Sequence, residues 1–201
     1  ADGSAGAARA GRARLARLSA SAKGERALGG GTRQAPGSIH AGGHRPIFNG
    51  MALPLIHHAD YDASSVPDGH RFPMRKYARV AERLRARGAV FTVPRHAPEA
   101  WLMAVHDPAY VAAILNQTLD RAAARRIGFE ITAPLARRAA ASAAGTTLAA
   151  RIALDTGVAA NLAGGSHHAG PHGGAGFCVF NDVAVAARQI LDDRLVRRIA
   201  V

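Results

Sequence analysis

The chain has 201 residues, a formal net charge of +12 and a single cysteine, Cys178. One cysteine excludes an intrachain disulfide framework and a multi-cysteine zinc finger, and no apolar run is long enough for a transmembrane helix. A secretory signal pattern is also absent from the sequence, so a reducing, cytoplasmic setting is expected. The chain contains 24 Arg but 2 Lys, with 47 Ala and 22 Gly. This bias is typical of a GC-rich coding sequence, which explains the charge better than a nucleic-acid partner does.

The first 50 residues differ in composition from the rest. They hold 8 of the 26 basic residues, 2 of the 14 acidic residues and 11 of the 22 glycines. Because large apolar side chains are few, this segment cannot bury enough surface to offset its chain entropy. We therefore predict a disordered basic extension over residues 1–50, the one candidate for nucleic-acid contact. Met51 opens the first strand-like run and is a candidate start of the natural protein.

From Met51 onward, predicted strands alternate with predicted helices, which indicates an α/β domain with a mainly parallel sheet flanked by helices in three layers. The predicted strands cover residues 53–56, 89–93, 158–163 and 195–201. The predicted helices cover residues 74–84, 98–105, 108–115, 134–156 and 182–191. Ligands bind at the carboxyl ends of strands in such sheets. Since the last predicted strand ends with the chain at Val201, we expect the domain to be incomplete at its C-terminus.

The densest chemical signal lies between Asn161 and Asp182. A predicted strand ends at Gly164-Gly165, where two glycines allow a sharp turn, and His167 and His168 follow. Histidine titrates near neutrality, so a pair in a cleft can pass protons between water and a leaving group. This framing favours a catalytic role for both histidines.

Other residues of the same types carry weaker signals. The pair His57-His58 lacks the glycine framing and is predicted to be structural or solvated. His172 is a loose loop histidine and is not expected to bind metal, and Cys178 is predicted to be a packed small hydrophobe. Phosphate binding by the glycine-rich loop at residues 173–176 is a further alternative, although no Lys-Ser/Thr follows the glycines.

Two blocks of residues carry a resemblance to a known family. The first comprises Gly164, Gly165, His167, His168 and Ala169, and the second Gly176, Phe177, Cys178, Asn181 and Asp182. The stretches Gly69–Tyr77 and His106–Tyr110 agree with the same pattern. Together they resemble the histone deacetylase family of the arginase–deacetylase fold group, in particular bacterial members grouped with class IV deacetylases. The resemblance covers Met51–Val201, roughly the first half of the family domain.

The resemblance implies zinc-dependent hydrolysis of an acylated amine, such as acetyl-lysine or an acetylated polyamine. It makes His168 the general base and then the general acid, with His167 as its orienting partner. It assigns the Gly176 carbonyl as an acceptor for the substrate's side-chain N–H, Phe177 as one wall of the tunnel for the lysine stem, and Arg71 as a residue of an internal product channel.

The resemblance also places the zinc ligands, two aspartates and a histidine, beyond Val201. No metal ligand is therefore predicted within this chain, and the chain by itself is expected to be inactive. The alternative is a non-catalytic remnant of the fold that binds an acylated amine or a protein partner. The sequence leaves open the substrate identity, the acyl-chain length and the oligomeric state.

Overall fold

A computed structural model describes residues 47–48 and 51–201 of the protein. The predicted disordered extension therefore lies almost entirely outside the described residues, and that prediction stays untested. Near the end of the 1–50 segment, Ile47–Phe48 forms a strand. In the described part, no helix is long and apolar enough to cross a membrane.

The described chain alternates between short strands and longer helices. The strands are β1 (Ile47–Phe48), β2 (Met51–Ala52), β3 (Leu55–Ile56), β4 (Phe91–Thr92) and β5 (Ala160–Asn161). The helices are α1 (Lys76–Ala86), α2 (Glu99–Met103), α3 (Pro108–Leu115), α4 (Arg121–Ile127), α5 (Ala133–Thr156) and α6 (Asp182–Asp192). A 3-10 turn at Ala59–Tyr61 follows β3.

The central sheet is parallel, with the order β4-β3-β5. Leu55 lies opposite Phe91 on one side and opposite Ala160 on the other. Parallel strands require crossover connections, and here α1 lies between β3 and β4 in the chain while α2 to α5 lie between β4 and β5. This arrangement confirms the predicted α/β class. The strands β1 and β2 form a separate antiparallel pair.

Helix α5 is the longest helix of the described residues and lies against β3, β5 and α6. It begins where the Thr132 side chain accepts a hydrogen bond from the Leu135 N–H, with proline in its first turn, and it ends at Gly157, whose φ is +83°. An early proline and a terminal left-handed glycine are common at the two ends of a helix, as is a threonine N-cap. Most of its buried residues are alanines, so neighbouring elements approach its backbone closely.

One predicted strand is wrong, and one observed helix was not predicted. Residues 195–201 form no strand, because a strand requires a paired neighbour and no described strand lies beside this segment. Helix α4 is an element that the sequence patterns do not predict. Its N-terminus is capped by Asp120, which accepts hydrogen bonds from the Ala122 and Ala123 N–H groups, and Gly128 ends it with φ +93°.

Gly145 allows the closest contact between α5 and the rest of the core. A Cβ atom at this position would lie 2.1 Å from the Tyr61 Oη and 2.8 Å from the Asn161 Nδ2. The Tyr61 hydroxyl donates to the Asn161 Oδ1 at 2.7 Å, and burial raises the pKa of Tyr61, so this side chain stays a neutral donor. A glycine within a helix is disfavoured by about 1 kcal/mol relative to alanine, and here the close packing explains its presence.

Gly145→Ala should therefore lower the free energy of unfolding by about 3 kcal/mol, through overpacking and the lost Tyr61–Asn161 hydrogen bond. Helix propensity alone predicts the opposite sign. Urea unfolding followed by circular dichroism measures the change, with Leu154→Ala on the exposed face of α5 as the control. Tyr61→Phe removes the clashing oxygen, so the alanine penalty should be smaller in that background. An unchanged penalty would contradict this explanation.

Candidate active site

The predicted catalytic histidines lie at the carboxyl edge of the parallel sheet. His57 and His58 directly follow β3, and His167 and His168 lie in the loop after β5. In sheets of this kind the carboxyl edge is where ligands bind. The position of the second pair therefore agrees with the predicted role.

The two imidazoles of His167 and His168 lie side by side and are exposed to solvent. Their ring centroids are 4.3 Å apart. The Nδ1 of His167 is 2.9 Å from the Gly165 carbonyl oxygen, so Nδ1–H donates this bond and Nε2 is the basic nitrogen of the neutral ring. Gly165 has a φ of +92°, a conformation that glycine adopts without strain.

A tight turn brings Gly176 and Phe177 to the histidine pair. Ala175 and Cys178 exchange backbone hydrogen bonds across it, at 3.1 and 2.9 Å. Both central residues have positive φ, +55° and +66°, the pattern of a type I′ turn. A Cβ on Gly176 would lie 3.3 Å from the His168 Cγ. Glycine here lets the backbone approach the His168 ring closely.

The left-handed conformation of Phe177 is unfavourable for a bulky residue and needs support from its surroundings. The end of helix α4 provides it. The Phe177 N–H donates to the Ile127 carbonyl at 2.7 Å, and the Gly176 N–H donates to the Arg126 carbonyl at 3.3 Å. The unpredicted helix α4 therefore holds the predicted tunnel-wall residue in place.

An aromatic cluster surrounds Phe177. Phe72 and Phe129 have ring centroids 5.3 Å from its own, and His70 has its centroid 5.9 Å away. Arg71 is exposed, and its guanidinium carbon lies 5.6 Å from the Phe177 centroid, a cation–π distance. The structure thus brings Arg71 to the wall residue, and its assignment to an internal channel stays a prediction.

Arg138 is a buried arginine that no sequence motif singles out. It is 3% exposed, donates to the Tyr61 carbonyl at 3.1 Å and to the Tyr77 hydroxyl at 2.8 Å, and lies over the Phe72 and Tyr77 rings. Its neighbour in the sequence, Arg137, is half exposed. The alanine-rich sequence around them gives no signal that Arg138 is buried while Arg137 is half exposed.

His106 forms hydrogen bonds to residues before and after the glycine-rich loop of residues 173–176. Its Nδ1 donates to the Gly170 carbonyl at 2.9 Å, and its Nε2 accepts from the Asn181 N–H at 3.0 Å. These roles require the neutral ring, and burial lowers the pKa of His106 below its usual value. The histidine of the H-x-x-x-Y stretch is therefore a structural bridge under the site.

The remaining loop residues serve packing. Within residues 173–176, the Ala175 and Gly176 N–H groups donate to the carbonyls of Cys178 and Arg126. Backbone donors occupied in this way do not favour a phosphate cradle. Cys178 is buried, as predicted, and His172 is exposed at the loop tip, 3.6 Å from an oxygen of Asp107.

The donors around the histidine pair do not fit a zinc site among the described residues. The Asp182 carboxylate contacts the turn before the histidine pair, and it accepts hydrogen bonds from two backbone N–H groups and from Thr146. Zinc in catalytic sites has three protein ligands of the His, Asp, Glu or Cys type. Both oxygens of the Asp182 carboxylate are thus engaged by backbone and hydroxyl donors, and Asp182 belongs to no cluster of metal-ligating side chains in the described part.

One cluster in the described part has suitable donor types for a metal: His58, Asp60 and His96. Its atoms are already paired with one another. The Asp60 Oδ2 is 2.7 Å from the His96 Nε2 and 3.6 Å from the Arg137 Nε, while the His58 Nδ1 accepts the Asp60 N–H at 3.0 Å. The His58 side chain is thus structural in this arrangement, and Arg137 already neutralises the carboxylate.

A parallel sheet flanked by helices, with a histidine-bearing loop at its carboxyl edge, fits an α/β domain of the arginase–deacetylase type. Comparison with known proteins agrees with this class. The family model described as histone deacetylase domain matches residues 70–201. An uncharacterized protein from Picosynechococcus sp. is 40% identical over 155 residues, covering 75% of this chain and 51% of its own length.

Two further proteins show the same likeness. Histone deacetylase 2 from Arabidopsis thaliana is 29% identical over 147 residues, covering 65% of this chain and 37% of its own. The crystal structure of the HDA15 HD domain shares the fold with a TM-score of 0.54 at 20% identity, over 67% of this chain and 41% of that one. The chain thus spans about half the length, or less, of these relatives. It belongs to the histone deacetylase family.

Matched substitutions of Gly128 and Gly157 test whether the end of α4 packs against the Phe177 ring. Both end helices at positive φ, but a Cβ at 128 would lie 2.8 Å from the Phe177 Cε1, whereas a Cβ at 157 would meet nothing within 4 Å. Gly157→Ala should cost about 1–2 kcal/mol of stability through backbone strain alone. Gly128→Ala should cost about 1 kcal/mol more and displace the Phe177 ring. Urea unfolding and the Phe129–Phe177 nuclear Overhauser effects measure these changes. Equal losses with an unmoved ring would refute the assigned contact.

The buried histidines predict how stability depends on pH. Burial lowers the pKa values of His57 and His106, so the unfolded chain takes up protons near pH 6.5 while the folded protein resists them. Stability is then complete above pH 6.5 and declines as the pH falls toward the folded pKa values. Each histidine contributes a slope of at most about 1.4 kcal/mol per pH unit.

Unfolding free energies measured between pH 7.5 and 5 test this statement. His106→Gln keeps a donor and an acceptor but cannot titrate, so its slope should be smaller than that of the unsubstituted protein. Leu154→Ala on the exposed face of α5 removes no titratable group and should leave the slope unchanged. A slope unaffected by His106→Gln would rule out the neutral bridge.

Proposed function

We propose that the protein hydrolyses the amide bond of an acylated amine, with acyl-lysine as the leading substrate class. The observation that carries the proposal is the pair of exposed imidazoles, His167 and His168, beside the Gly176–Phe177 turn. Membership of the histone deacetylase family supports the same reaction class.

Proton transfer is assigned to His168. Its imidazole takes a proton from a water molecule as the water oxygen attacks the acyl carbonyl carbon. The carbon–nitrogen bond then breaks, and the same imidazole returns the proton to the departing amine, which leaves a carboxylic acid and a free amine. General acid–base catalysis of this kind contributes roughly 10²–10⁴-fold to a rate.

His167 is assigned to orient the His168 ring and to interact with it electrostatically. Its ring is fixed by the bond from Nδ1–H to the Gly165 carbonyl, so Nε2 remains the basic nitrogen. The centroid of the His167 ring lies 4.3 Å from that of His168. The electrostatic interaction between the two rings therefore changes whenever His168 gains or loses a proton. The two rings therefore act as one unit.

Substrate binding is assigned to the turn at residues 176–177. The Gly176 carbonyl accepts a hydrogen bond from the substrate's side-chain N–H, and the Phe177 ring packs against the aliphatic stem. A straight apolar stem suits both acetyl-lysine and an acetylated polyamine. The aromatic cluster with Phe72 and Phe129 keeps the wall rigid.

Zinc completes the proposal as the cofactor, because the deacetylase family is generally zinc-dependent. When bound, zinc would polarise the acyl carbonyl and lower the pKa of water. The ligands are expected outside residues 47–201. We also place the protein in the cytoplasm, since its single buried cysteine needs no oxidising compartment.

A second candidate is a non-catalytic domain that binds acylated amines. It is favoured by the engagement of the Asp182 carboxylate, which contacts the turn before the histidine pair and already accepts two backbone N–H groups. Binding of an acetyl-lysine peptide without turnover, in zinc-loaded protein from the complete gene, would select this candidate.

His168→Ala tests the catalytic assignment. In protein expressed from the complete gene, it should lower kcat for an acetyl-lysine peptide or an N-acetylpolyamine by at least about 100-fold. His172→Ala, at the exposed tip of the same loop, should stay within about threefold of the unsubstituted enzyme because it carries no assigned proton transfer. Acetate release measures both. A fully active His168→Ala enzyme would disprove the assigned base.

A further inference from the structure

We propose that Asp182 is a positioning residue that fixes the turn carrying His167 and His168. The proposal rests on the function proposed above, since it concerns the same histidines. Asp182 is the first residue of α6 and is 1% exposed. It is separated from the histidines by the whole glycine-rich loop, yet its side chain contacts the turn directly.

The carboxylate binds the two peptide groups that precede His167. Its Oδ2 accepts the Gly165 N–H at 3.0 Å, and its Oδ1 accepts the Ser166 N–H at 2.5 Å. The Thr146 hydroxyl of α5 donates to the Oδ2 as well. Both carboxylate oxygens are therefore engaged, and the backbone entering the histidine pair is tied to two helices.

A buried carboxylate needs compensation for its lost hydration. In the described part, Asp182 forms no salt bridge with an arginine or lysine. Its charge is balanced by the three donors and by the N-terminus of α6, where negative charge is stabilised. Charge-assisted bonds of this kind are shorter and stronger than neutral ones, so the anion holds the turn more firmly than an amide would.

The glycines before the histidines make the contact sterically possible. A Cβ on Gly164 would lie 2.8 Å from the Thr146 Oγ1 and 3.2 Å from the Asp182 Oδ2. Gly165 adopts a left-handed φ of +92°. The turn can therefore approach the carboxylate because Gly164 lacks a Cβ and because Gly165 adopts the left-handed conformation without strain.

The influence of Asp182 reaches the imidazole through one residue. Asp182 binds the N–H of Gly165, and the carbonyl of the same residue accepts the Nδ1–H of His167. Fixing Gly165 thus fixes the His167 ring and, through the contact between the two rings, its neighbour. Asp182 acts through the histidines and touches neither water nor substrate in the proposed reaction.

Asp182→Asn is the decisive variant because it keeps the shape and removes the charge and one acceptor. Its amide NH₂ would face N–H groups that need acceptors. In protein expressed from the complete gene, kcat should fall by about 100-fold, the loss expected when a reacting group is misplaced by about 1 Å. KM should change by less than about threefold, because the assigned binding groups lie on the separate 176–177 turn.

Matched variants separate positioning from stability. Thr146→Val removes the hydroxyl that donates to Asp182, whereas Thr147→Val removes the next hydroxyl of α5, which is buried and donates to the Ala143 carbonyl. Assayed below their melting temperatures, Thr146→Val should lower kcat by about tenfold and Thr147→Val should leave it within about threefold. Equal kcat losses in these two variants would overturn the proposal.

Amide hydrogen exchange gives a readout that does not need activity. Asp182→Asn should speed exchange of the Gly165 and Ser166 N–H groups at least about tenfold more than Thr147→Val does, because it removes their acceptor. Unchanged exchange at both amides would overturn the positioning role, whatever the activity. If the unsubstituted protein shows no turnover, the proposed function fails, and faster exchange still supports the contact that Asp182 makes with the turn.

Discussion

A chain of hydrogen bonds runs under the carboxyl edge of the sheet and determines where the histidine-bearing turn can lie. The Tyr61 hydroxyl donates to Asn161, the Asn161 amide donates to the Thr146 hydroxyl at 3.0 Å, and Thr146 donates to Asp182. The chain connects β5 and α6 through one turn of α5. It closes only because Gly145 leaves room for the tyrosine oxygen. Polar networks that are fully satisfied in this way give a core one defined arrangement.

Most helices and the three strands of the parallel sheet could be predicted from local signals, but one predicted strand and one helix could not be judged correctly. Helix α5 has a threonine cap, an early proline and a terminal glycine, all of which act within a few residues of the chain. The 195–201 segment has the composition of a strand, but strand formation depends on a neighbour that local sequence does not specify. Helix α4 escapes prediction because its sequence RAAARRI has little apolar periodicity, although Asp120 and Gly128 are both visible as cap signals.

The candidate histidines could be proposed from the sequence, whereas the residues that contact and support their turn could not. Glycine framing and a paired histidine are local features, so His167 and His168 can be identified before the fold is known. Arg138 meets Tyr77 across 61 positions, and Thr146 meets Asp182 across 36. No periodicity or motif encodes such distances. Asp182 itself belongs to the recognised pattern, but only its contacts with Gly165 and Ser166 suggest what it does.

Two separate supports hold the two halves of the site. The histidine turn is tied to Asp182 at the start of α6, and the Gly176–Phe177 turn is tied to the carbonyls that end α4. His168 and Gly176 meet where these two supported turns come into van der Waals contact. Because the supports share no side chain, substitutions around α4 can reshape the proposed substrate wall at Phe177 while His167 and His168 keep their geometry.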